Sequence, residues 1–305
     1  MGRQWRREQW AIGVVHAPIH TFLAQPGGYR VTWLPEPSRS EYVADPFGVR
    51  LGAVRLILAE RFDQRTRLGQ LCELGAEGPG ALEPPRPVLP LPVHVSYPFL
   101  FEDEGRVYCI PEMFQSGGVH LFEVLDYPLR WRYLATLLEG FPAVDPTLFR
   151  HGGRLWLLCT SGETGILARG VLYAWWATTL TGPWIPHVRN PVKYDARSAR
   201  PAGTPFEHGG RLFRPAQDCS ETYGGAVTLN CITRLTPDEY EEETVAVVRP
   251  DPDGPYPAGL HTLAAFEDWT LIDGKRWVWC VPWRRPGLAR HPAAASLRPA
   301  LAQLH

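Results

Sequence analysis

A short motif recurs along the chain, and its period restricts the fold more than any other feature of the sequence. Each clear copy contains a small polar or acidic residue, a proline and then a phenylalanine, followed by an apolar stretch. The four clear copies are Ala44–Phe47, Ser96–Phe99, Val144–Phe149 and Gly203–Phe206, and a more diverged fifth copy begins near Gly259. When Asp45, Tyr97, Asp145, Thr204 and Thr262 are taken as equivalent, the steps between copies are 52, 48, 59 and 58 residues.

A repeat of about 50 residues is typical of a β-propeller blade of four antiparallel strands. Within the third and fourth copies, Gly152-Gly153 and Gly209-Gly210 supply the positive φ angles that a tight hairpin between the first two strands requires. The segment Trp10–Val15 precedes the first copy and predicts a strand that completes the last blade, because such closure removes an exposed sheet edge. The sequence therefore predicts an all-β, five-bladed β-propeller with four antiparallel strands per blade.

The composition agrees with this fold and sets the domain organisation. The chain has 31 prolines and 29 glycines among 305 residues, yet 45% of its residues are hydrophobic. Such a chain buries a large core but is interrupted too often for long helices, which excludes helical bundles and coiled coils. We expect residues 1–283 to form a single propeller domain, with Gly75–Pro92 as a long loop between blades. Residues 284–305 form an Arg/Pro/Ala-rich tail, either poorly ordered or a short docking helix.

Charge and cysteine spacing exclude several functional classes. The 31 basic and 32 acidic residues give a formal net charge of -1, which lacks the basic footprint of a nucleic-acid-binding protein. The six cysteines are widely spaced and form no CxxC pair, so neither a disulfide framework nor a metal site is predicted, and no cofactor is expected. The N-terminus does not fit a secretory signal, and no run of 18 apolar residues exists. We therefore expect a cytoplasmic protein that does not span a membrane.

The repeat also predicts where chemistry is located. In a propeller the first strands line the central channel, so residues about 50 positions apart converge at its entrance. Asp45 and Asp145 open blades one and three at that entrance, and the second strands of blades two and four end at Glu112 and Asp218. Glycosidic-bond chemistry uses one carboxylate to attack or to activate water, a second to stabilise positive charge and a third to protonate the leaving oxygen. Asp45 and Asp145 are therefore predicted to be catalytic, with Glu112 or Asp218 as the acid; a buried salt bridge is equally compatible with Glu112.

Further side chains near these carboxylates are predicted to bind substrate. Arginines suit an anionic group such as phosphate or uronate, although a structural ion pair explains them equally well, and the neutral donors and acceptors suit sugar hydroxyls. His261 fits a core histidine as well as a ligand-binding one. The tryptophans, including Trp277 and Trp279, are expected mostly to pack between blades. The predicted substrate-binding residues are Tyr97, His94, Arg200, Arg214, Gln217, Tyr223 and His261.

These motifs resemble two known groups of proteins. The Asp-Pro openings of the first and third copies resemble those of the five-bladed arabinanase/xylosidase and invertase/levansucrase superfamily of glycoside hydrolases. Longer stretches resemble the N-terminal domain of plant glucosamine inositolphosphorylceramide transferases over about residues 10–283. These stretches include HVSYPF (94–99), DPTLF (145–149), RPAQDCSETYG (214–224) and GLHT (259–262).

The two resemblances have different implications for function. The hydrolase resemblance implies Asp45 as nucleophile or base and Asp145 as transition-state stabiliser. It also implies a glutamate acid on the first strand of the next blade, where this sequence has Gly203-Thr204-Pro205. The transferase resemblance implies that sugar transfer belongs to a separate C-terminal domain. The leading expectation is a carbohydrate-active protein that cleaves or transfers a glycosidic bond of a carbohydrate or glycolipid headgroup. The alternative is a non-catalytic glycan- or glycolipid-binding propeller that partners a separate glycosyltransferase.

Overall fold

The computed structural model of the chain describes residues 5–74, 85–127, 129–162, 169–280, 297–302 and 304, and nearly all of its regular structure is β-strand. The strands of the first half are β1 (Trp5–Val15), β2 (Val31–Trp33), β3 (Glu41–Leu51), β4 (Val54–Asp63), β5 (Leu68–Leu74), β6 (Arg86–Pro87), β7 (Ser96–Asp103), β8 (Arg106–Glu112), β9 (Gly118–Asp126) and β10 (Arg130–Glu139). Those of the second half are β11 (Ala143–His151), β12 (Arg154–Ser161), β13 (Val171–Ala177), β14 (Ile185–Pro186), β15 (Lys193–Tyr194), β16 (Phe206–His208), β17 (Arg211–Asp218), β18 (Ala226–Leu235), β19 (Tyr240–Val248), β20 (Leu263–Phe266) and β21 (Trp269–Cys280). The described helices are two 3-10 turns and one short α-helix: Ile19–Leu23, Phe114–Ser116 and α1 (Leu297–Ala302).

The strands form five small antiparallel sheets, each of which is one blade. From the channel outward, blade one is β3 to β6, blade two β7 to β10, blade three β11 to β14 and blade four β16 to β19, with β15 also paired to β13. Blade five has the order β20, β21, β1, β2, so the N-terminal strand completes the last blade. This arrangement confirms the predicted five-bladed propeller and its closure, although β1 begins five residues before the predicted strand.

Two-residue hairpins join the first and second strands of every blade. In the third hairpin, Gly152 and Gly153 have φ angles of 57° and 73°, which confirms the predicted turn. Counted back from the hairpins, Asp45, Tyr97 and Asp145 lie at one level, whereas Thr204 and Thr262 lie two residues closer to the turn. The predicted equivalence of the copies is therefore correct for three blades and shifted in register in blades four and five, whose first strands are only three and four residues long.

Apolar side chains of the first and second strands fill the space between blades. Phe47 and Phe99 follow the prolines of blades one and two, and their buried rings pack edge to face with centroids 5.3 Å apart. Burying one such ring contributes about 2–3 kcal/mol. This core holds the polar strand entrances at fixed positions around the channel.

Only part of the predicted tail and inter-blade loop is described. Leu297 and Leu301 of α1 are buried in the inter-blade core, and the backbone N–H of Tyr133 donates to the carbonyl of Leu304. Residues 75–84 of the loop and 281–296, which include most of the tail, lie outside the described residues. Among the helices that the structure describes, none is long and apolar enough to cross a membrane.

A buried carboxyl cluster as candidate active site

The same local backbone structure places a side chain in the channel in blades one, two and three. Each first strand has an irregularity in its pairing with the second strand at this level. Asp45, Tyr97 and Asp145 adopt left-handed φ angles of 53°, 42° and 50°. Few non-glycine residues adopt this conformation, and such strained positions concentrate at functional sites. A β-bulge changes the direction in which a side chain points. The irregularities in blades one and three therefore explain why Asp45 and Asp145 both point into the channel.

The first half of the site is built around Asp45, His261 and Asp273, all buried. Nδ1 of His261 lies 2.5 Å from Asp273 Oδ2 and 3.7 Å from Asp45 Oδ1. Asp273 also accepts the backbone N–H groups of Asp45, His261 and Thr262 at 3.2, 2.9 and 3.0 Å. Burial opposes ionisation of Asp273, but His261 and these donors hold its pKa below the ordinary value. Burial raises the pKa of Asp45 to about 6, and the nearby His261 offsets this only in part.

The second half is built around Asp145 and Glu112. The backbone N–H of Asp145 donates to Glu112 Oε2 at 3.1 Å. Oδ2 of Asp145 accepts from Arg200 Nε at 2.5 Å and from Gln217 Nε2 at 2.9 Å. Burial raises the pKa of Asp145 to about 7 and also raises that of Glu112, while the Arg200 charge acts in the opposite direction on both. The two carboxyl groups interact closely, so they behave as a pair that retains a proton near neutral pH.

Glu60 is the fourth carboxyl group of the cluster whose pKa is raised. Its burial raises the pKa, and the charges of Asp45, Glu112 and Asp145 raise it further. His94 Nδ1 accepts the backbone N–H of Gly69 at 2.9 Å, so its proton lies on Nε2, which faces Glu60 Oε1 at 3.5 Å. Glu60 occupies the strand position equivalent to Glu112, because each pairs with the residue just before the left-handed one. In the sequence, this equivalence to Glu112 is what indicates Glu60 as a residue of the site.

Most of the predicted site residues lie in or beside this cluster. Tyr223 is half-buried; its ring lies under the Arg200 guanidinium at 5.1 Å and edge-on to His261 at 5.3 Å. Tyr97 is fully buried, and its hydroxyl bonds to Thr147 Oγ1 at 2.9 Å and accepts the N–H of Gly203 at 2.7 Å. Tyr97 thus ties blade two to blades three and four across the channel. The predicted residues that the structure brings together are Asp45, Asp145, Glu112, Arg200, Gln217, Tyr223 and His261, with His94 beside Glu60 and Tyr97 across the channel.

Arg214 and Asp218 lie outside the cluster. Side chains alternate along a strand, so these two point to the face of β17 opposite Gln217. Arg214 is instead buried against blade four's outer strand, where it pairs with Glu242 at 2.6 Å and donates to the Tyr240 hydroxyl at 3.0 Å. Oδ1 of Asp218 accepts the hydroxyl and N–H of Ser220 at 2.6 and 3.0 Å in a local turn. Of the two predicted acids, only Glu112 contacts another catalytic candidate in the described residues.

Sequence reasoning missed Asp273. It lies four residues past the start of β21, where blades one to three carry Leu58, Ile110 and Leu158. An aspartate inside an apolar strand is unusual, and this was the available signal. Trp10 was also missed as a site residue; its ring stacks on His261 with centroids 3.9 Å apart.

One group of side chains has the spacing to hold a metal ion. Among the residues that the structure describes, Asp45, His261 and Asp273 offer ligand atoms within 4.8 Å of one another. In the arrangement described here, however, Nδ1 of His261 is engaged by Asp273, and Asp273 accepts three backbone N–H groups. These contacts account for the geometry of the three residues by hydrogen bonding alone.

Comparison with known proteins now identifies the family. Residues 36–253 match the family described as glucosamine inositolphosphorylceramide transferase 1, N-terminal. The chain belongs to this family. It is 34% identical to the Arabidopsis thaliana glucosamine inositolphosphorylceramide transferase 1 over 246 residues, which are 79% of this chain and 31% of that relative. It is 33% identical to the Oryza sativa subsp. japonica protein of the same name over 210 residues, 68% of this chain and 28% of the relative. The chain thus spans about a third of the length of these members of the family.

Solved glycoside hydrolases share the fold. An exo-β-1,3-galactanase from Clostridium thermocellum superposes with a TM-score of 0.56 at 13% identity, over 74% of this chain and 57% of the galactanase. A family 117 glycoside hydrolase from Zobellia galactanivorans gives 0.54 at 13% identity, over 80% of this chain and 87% of the hydrolase. At such low identity, these matches show a common propeller fold and nothing about the reaction.

Proposed function

We propose that this protein is carbohydrate-active and that its central carboxyl cluster cleaves or transfers a glycosidic bond. The observation that supports this most is the contrast in pKa between the carboxyl groups of one buried cluster. Asp273 is held ionised, whereas Asp45 and Asp145 have pKa values raised to about 6 and about 7. Carboxyl groups whose environments separate their pKa values are suited to acid and base roles at one reaction centre.

The hydrogen bonds of the cluster suggest a role for each group. Glu112 and Asp145 form a coupled pair that retains one proton near neutral pH, and the donors Arg200 and Gln217 fix the position of Asp145 in that pair. Glu112 would protonate the leaving oxygen, and Asp145 would stabilise positive charge that develops on the sugar. Asp45 has the lower pKa of the two raised aspartates and would serve as nucleophile or base. Tyr223, at the half-buried edge of the cluster, would contact the sugar.

The names of the relatives suggest the substrate class. They are called glucosamine inositolphosphorylceramide transferases, so the proposed substrate or acceptor is a glycolipid headgroup that carries amino sugar, inositol and phosphate. The same relatives favour the second candidate function, a glycan-binding propeller that assists a separate transferase, because the match covers only about a third of their length.

Turnover of aryl glycosides separates these two functions. We expect the wild-type protein to release aryl alcohol from at least one member of a panel of aryl glycosides, and Asp45→Asn to lose this activity by about 10²-fold or more. The matched control is Asp126→Asn, an exposed aspartate paired with Arg130 on blade two, which should retain full activity. If wild type and Asp45→Asn are equally inert but both bind the sugars in calorimetry, the proposal is wrong and the binding function is favoured.

A further inference from the structure

The two strands β1 and β21 extend beyond the rest of blade five as a paired ribbon. Strand β1 pairs with β2 only through Gly13–Val15, and β21 pairs with β20 only through Trp269–Ile272. Beyond Asp273, β21 continues for seven residues paired with β1, up to Cys280. Second strands run from the hairpin toward the end where Asp45 and Asp145 lie, so this ribbon extends past the carboxyl cluster at that end of the propeller.

One face of the ribbon carries an alternating row of aromatic and charged side chains. Cross-strand partners share a face, and the pairs on this face are Trp10 with Lys275, Glu8 with Trp277, and Arg6 with Trp279. The row begins at the carboxyl cluster, where the buried ring of Trp10 stacks on His261 with centroids 3.9 Å apart. It ends in solvent, because Trp277 and Trp279 are 44% and 59% exposed. These two tryptophans are therefore exceptions to the expectation that the tryptophans mostly pack between blades.

Positively charged side chains contact the tryptophan rings of this row. Lys275 Nζ lies 5.3 Å from the ring centre of Trp10 and 5.6 Å from that of Trp277, and the Arg6 guanidinium lies 4.4 Å from that of Trp279. Lys275 is itself fixed, since its Nζ donates to Thr222 Oγ1 at 3.2 Å and to the carbonyl of Tyr223. These contacts order the aromatic rings relative to the loop that places Tyr223 beside Arg200.

We propose that this face of the ribbon is an outer binding subsite for the non-reacting sugar units of an oligosaccharide chain. The inference rests on the proposed function and deepens it, since it makes the substrate longer than one sugar. Trp277 and Trp279 lie four and six residues past Asp273, about 13 and 20 Å along an extended strand. Exposed indole rings provide flat apolar surface for sugar rings, and Glu8 and Arg6 beside them provide hydrogen-bonding groups for hydroxyls. The alternation of acidic and basic groups along the row favours a sugar over an anionic lipid surface.

Calorimetric binding of defined oligosaccharides tests the subsite without requiring turnover. Gluco-, galacto- and glucosamine-oligosaccharides from the monosaccharide to the hexasaccharide are titrated into wild type, Trp277→Ala and Trp279→Ala, each with and without Asp45→Asn. Tyr194→Ala is the matched control, an aromatic residue 72% exposed on blade three. For wild type we expect affinity to rise with chain length. Each tryptophan variant should weaken binding of the longer chains about tenfold, or about 1.4 kcal/mol, and leave monosaccharide binding unchanged.

Three outcomes overturn the subsite. In the first, the tryptophan variants bind every chain length as tightly as the wild type and the control do. In the second, no oligosaccharide of the panel binds to the wild type. In the third, the wild type co-sediments with phosphatidylcholine–phosphatidylserine vesicles, the tryptophan variants do not, and oligosaccharide binding is unchanged. That result would make the ribbon a membrane-interface element. Length-dependent binding through the tryptophans in a protein that turns over no glycoside would support the subsite and reject only the catalytic proposal.

Discussion

The backbone N–H of Asp145 donates a 3.1 Å hydrogen bond to Oε2 of Glu112, which belongs to the preceding blade. Blade one repeats the arrangement, since the N–H of Asp45 donates at 3.2 Å to Asp273 of blade five, the blade that precedes it around the ring. In both places a carboxyl oxygen from a second strand accepts the N–H of an aspartate in a left-handed conformation. The positively charged partner differs between the halves: it is Arg200 beside Asp145 and His261 beside Asp273.

Glu112→Gln tests the proposed acid. The amide oxygen can still accept the Asp145 N–H, but the side chain can no longer deliver a proton, so kcat on an aryl glycoside with a poor leaving group should fall by about 10²–10⁴-fold. A glycoside whose leaving group needs no protonation should be affected far less. The comparison with Asp218→Asn decides between the two predicted acids, because Asp218 contacts only its own turn in the described residues. A large loss in Asp218→Asn together with a normal Glu112→Gln would contradict the assignment.

The pH profile of kcat/KM follows from the raised pKa values. Asp45 must be ionised to act as nucleophile or base, so activity should be lost as the pH falls through about 6. The Glu112–Asp145 pair must retain its proton, so activity should be lost again as the pH rises through about 7. The profile should therefore be a narrow bell centred between these values. A profile that stays flat from pH 5 to pH 9 with chemistry rate-limiting would be inconsistent with these roles.

Much of the architecture is readable from the sequence because each blade carries its own local signals. The Gly-Gly hairpins and the Pro-aromatic entrances repeat with the period of a blade, and they gave both the blade count and the position of Asp45 and Asp145. Those signals weaken in blades four and five, whose short first strands shift the register. Thr204 and Thr262 were misaligned for that reason.

The remaining site residues depend on contacts that no local pattern encodes. Asp273 bonds to the N–H of Asp45 across 228 residues, through the joining of the last blade to the first. Arg200 and Arg214 both precede a proline, yet Arg200 lies in the connection into blade four and reaches Asp145, whereas Arg214 lies within β17 on the face that meets Glu242. Which face of a strand meets the channel is set by pairing partners, so the sequence did not distinguish the two arginines.

Asp273→Asn should destabilise the fold. The substitution removes the nearer of the two carboxyl groups beside the buried His261 and weakens three backbone hydrogen bonds, which we expect to lower the free energy of unfolding at pH 7 by about 3–5 kcal/mol. Because the pKa of Asp273 is lowered in the folded state, its contribution is present above the ordinary value and is lost as the pH falls below it. The difference from wild type in urea unfolding should therefore shrink toward pH 3. A loss no larger than that of the exposed control Asp126→Asn would show that the Asp273–His261 pair is not a stabilising contact.

Asp45→Asn should have the opposite effect on stability. The pKa of Asp45 is raised from 3.8 to about 6, so the folded state binds its proton more tightly than the unfolded state and the carboxylate becomes unfavourable as the pH rises through 6. At pH 8 this costs the wild type about 3 kcal/mol. Asparagine still accepts the Thr262 hydroxyl, which donates to Asp45 Oδ1 at 3.1 Å, but carries no charge beside Asp273. Thermal unfolding should give Asp45→Asn a higher Tm than wild type at pH 8, and the gap should narrow by pH 4. A constant difference across this range would mean that the pKa of Asp45 is not raised in the folded protein, and would contradict the loss of activity expected as the pH falls through about 6.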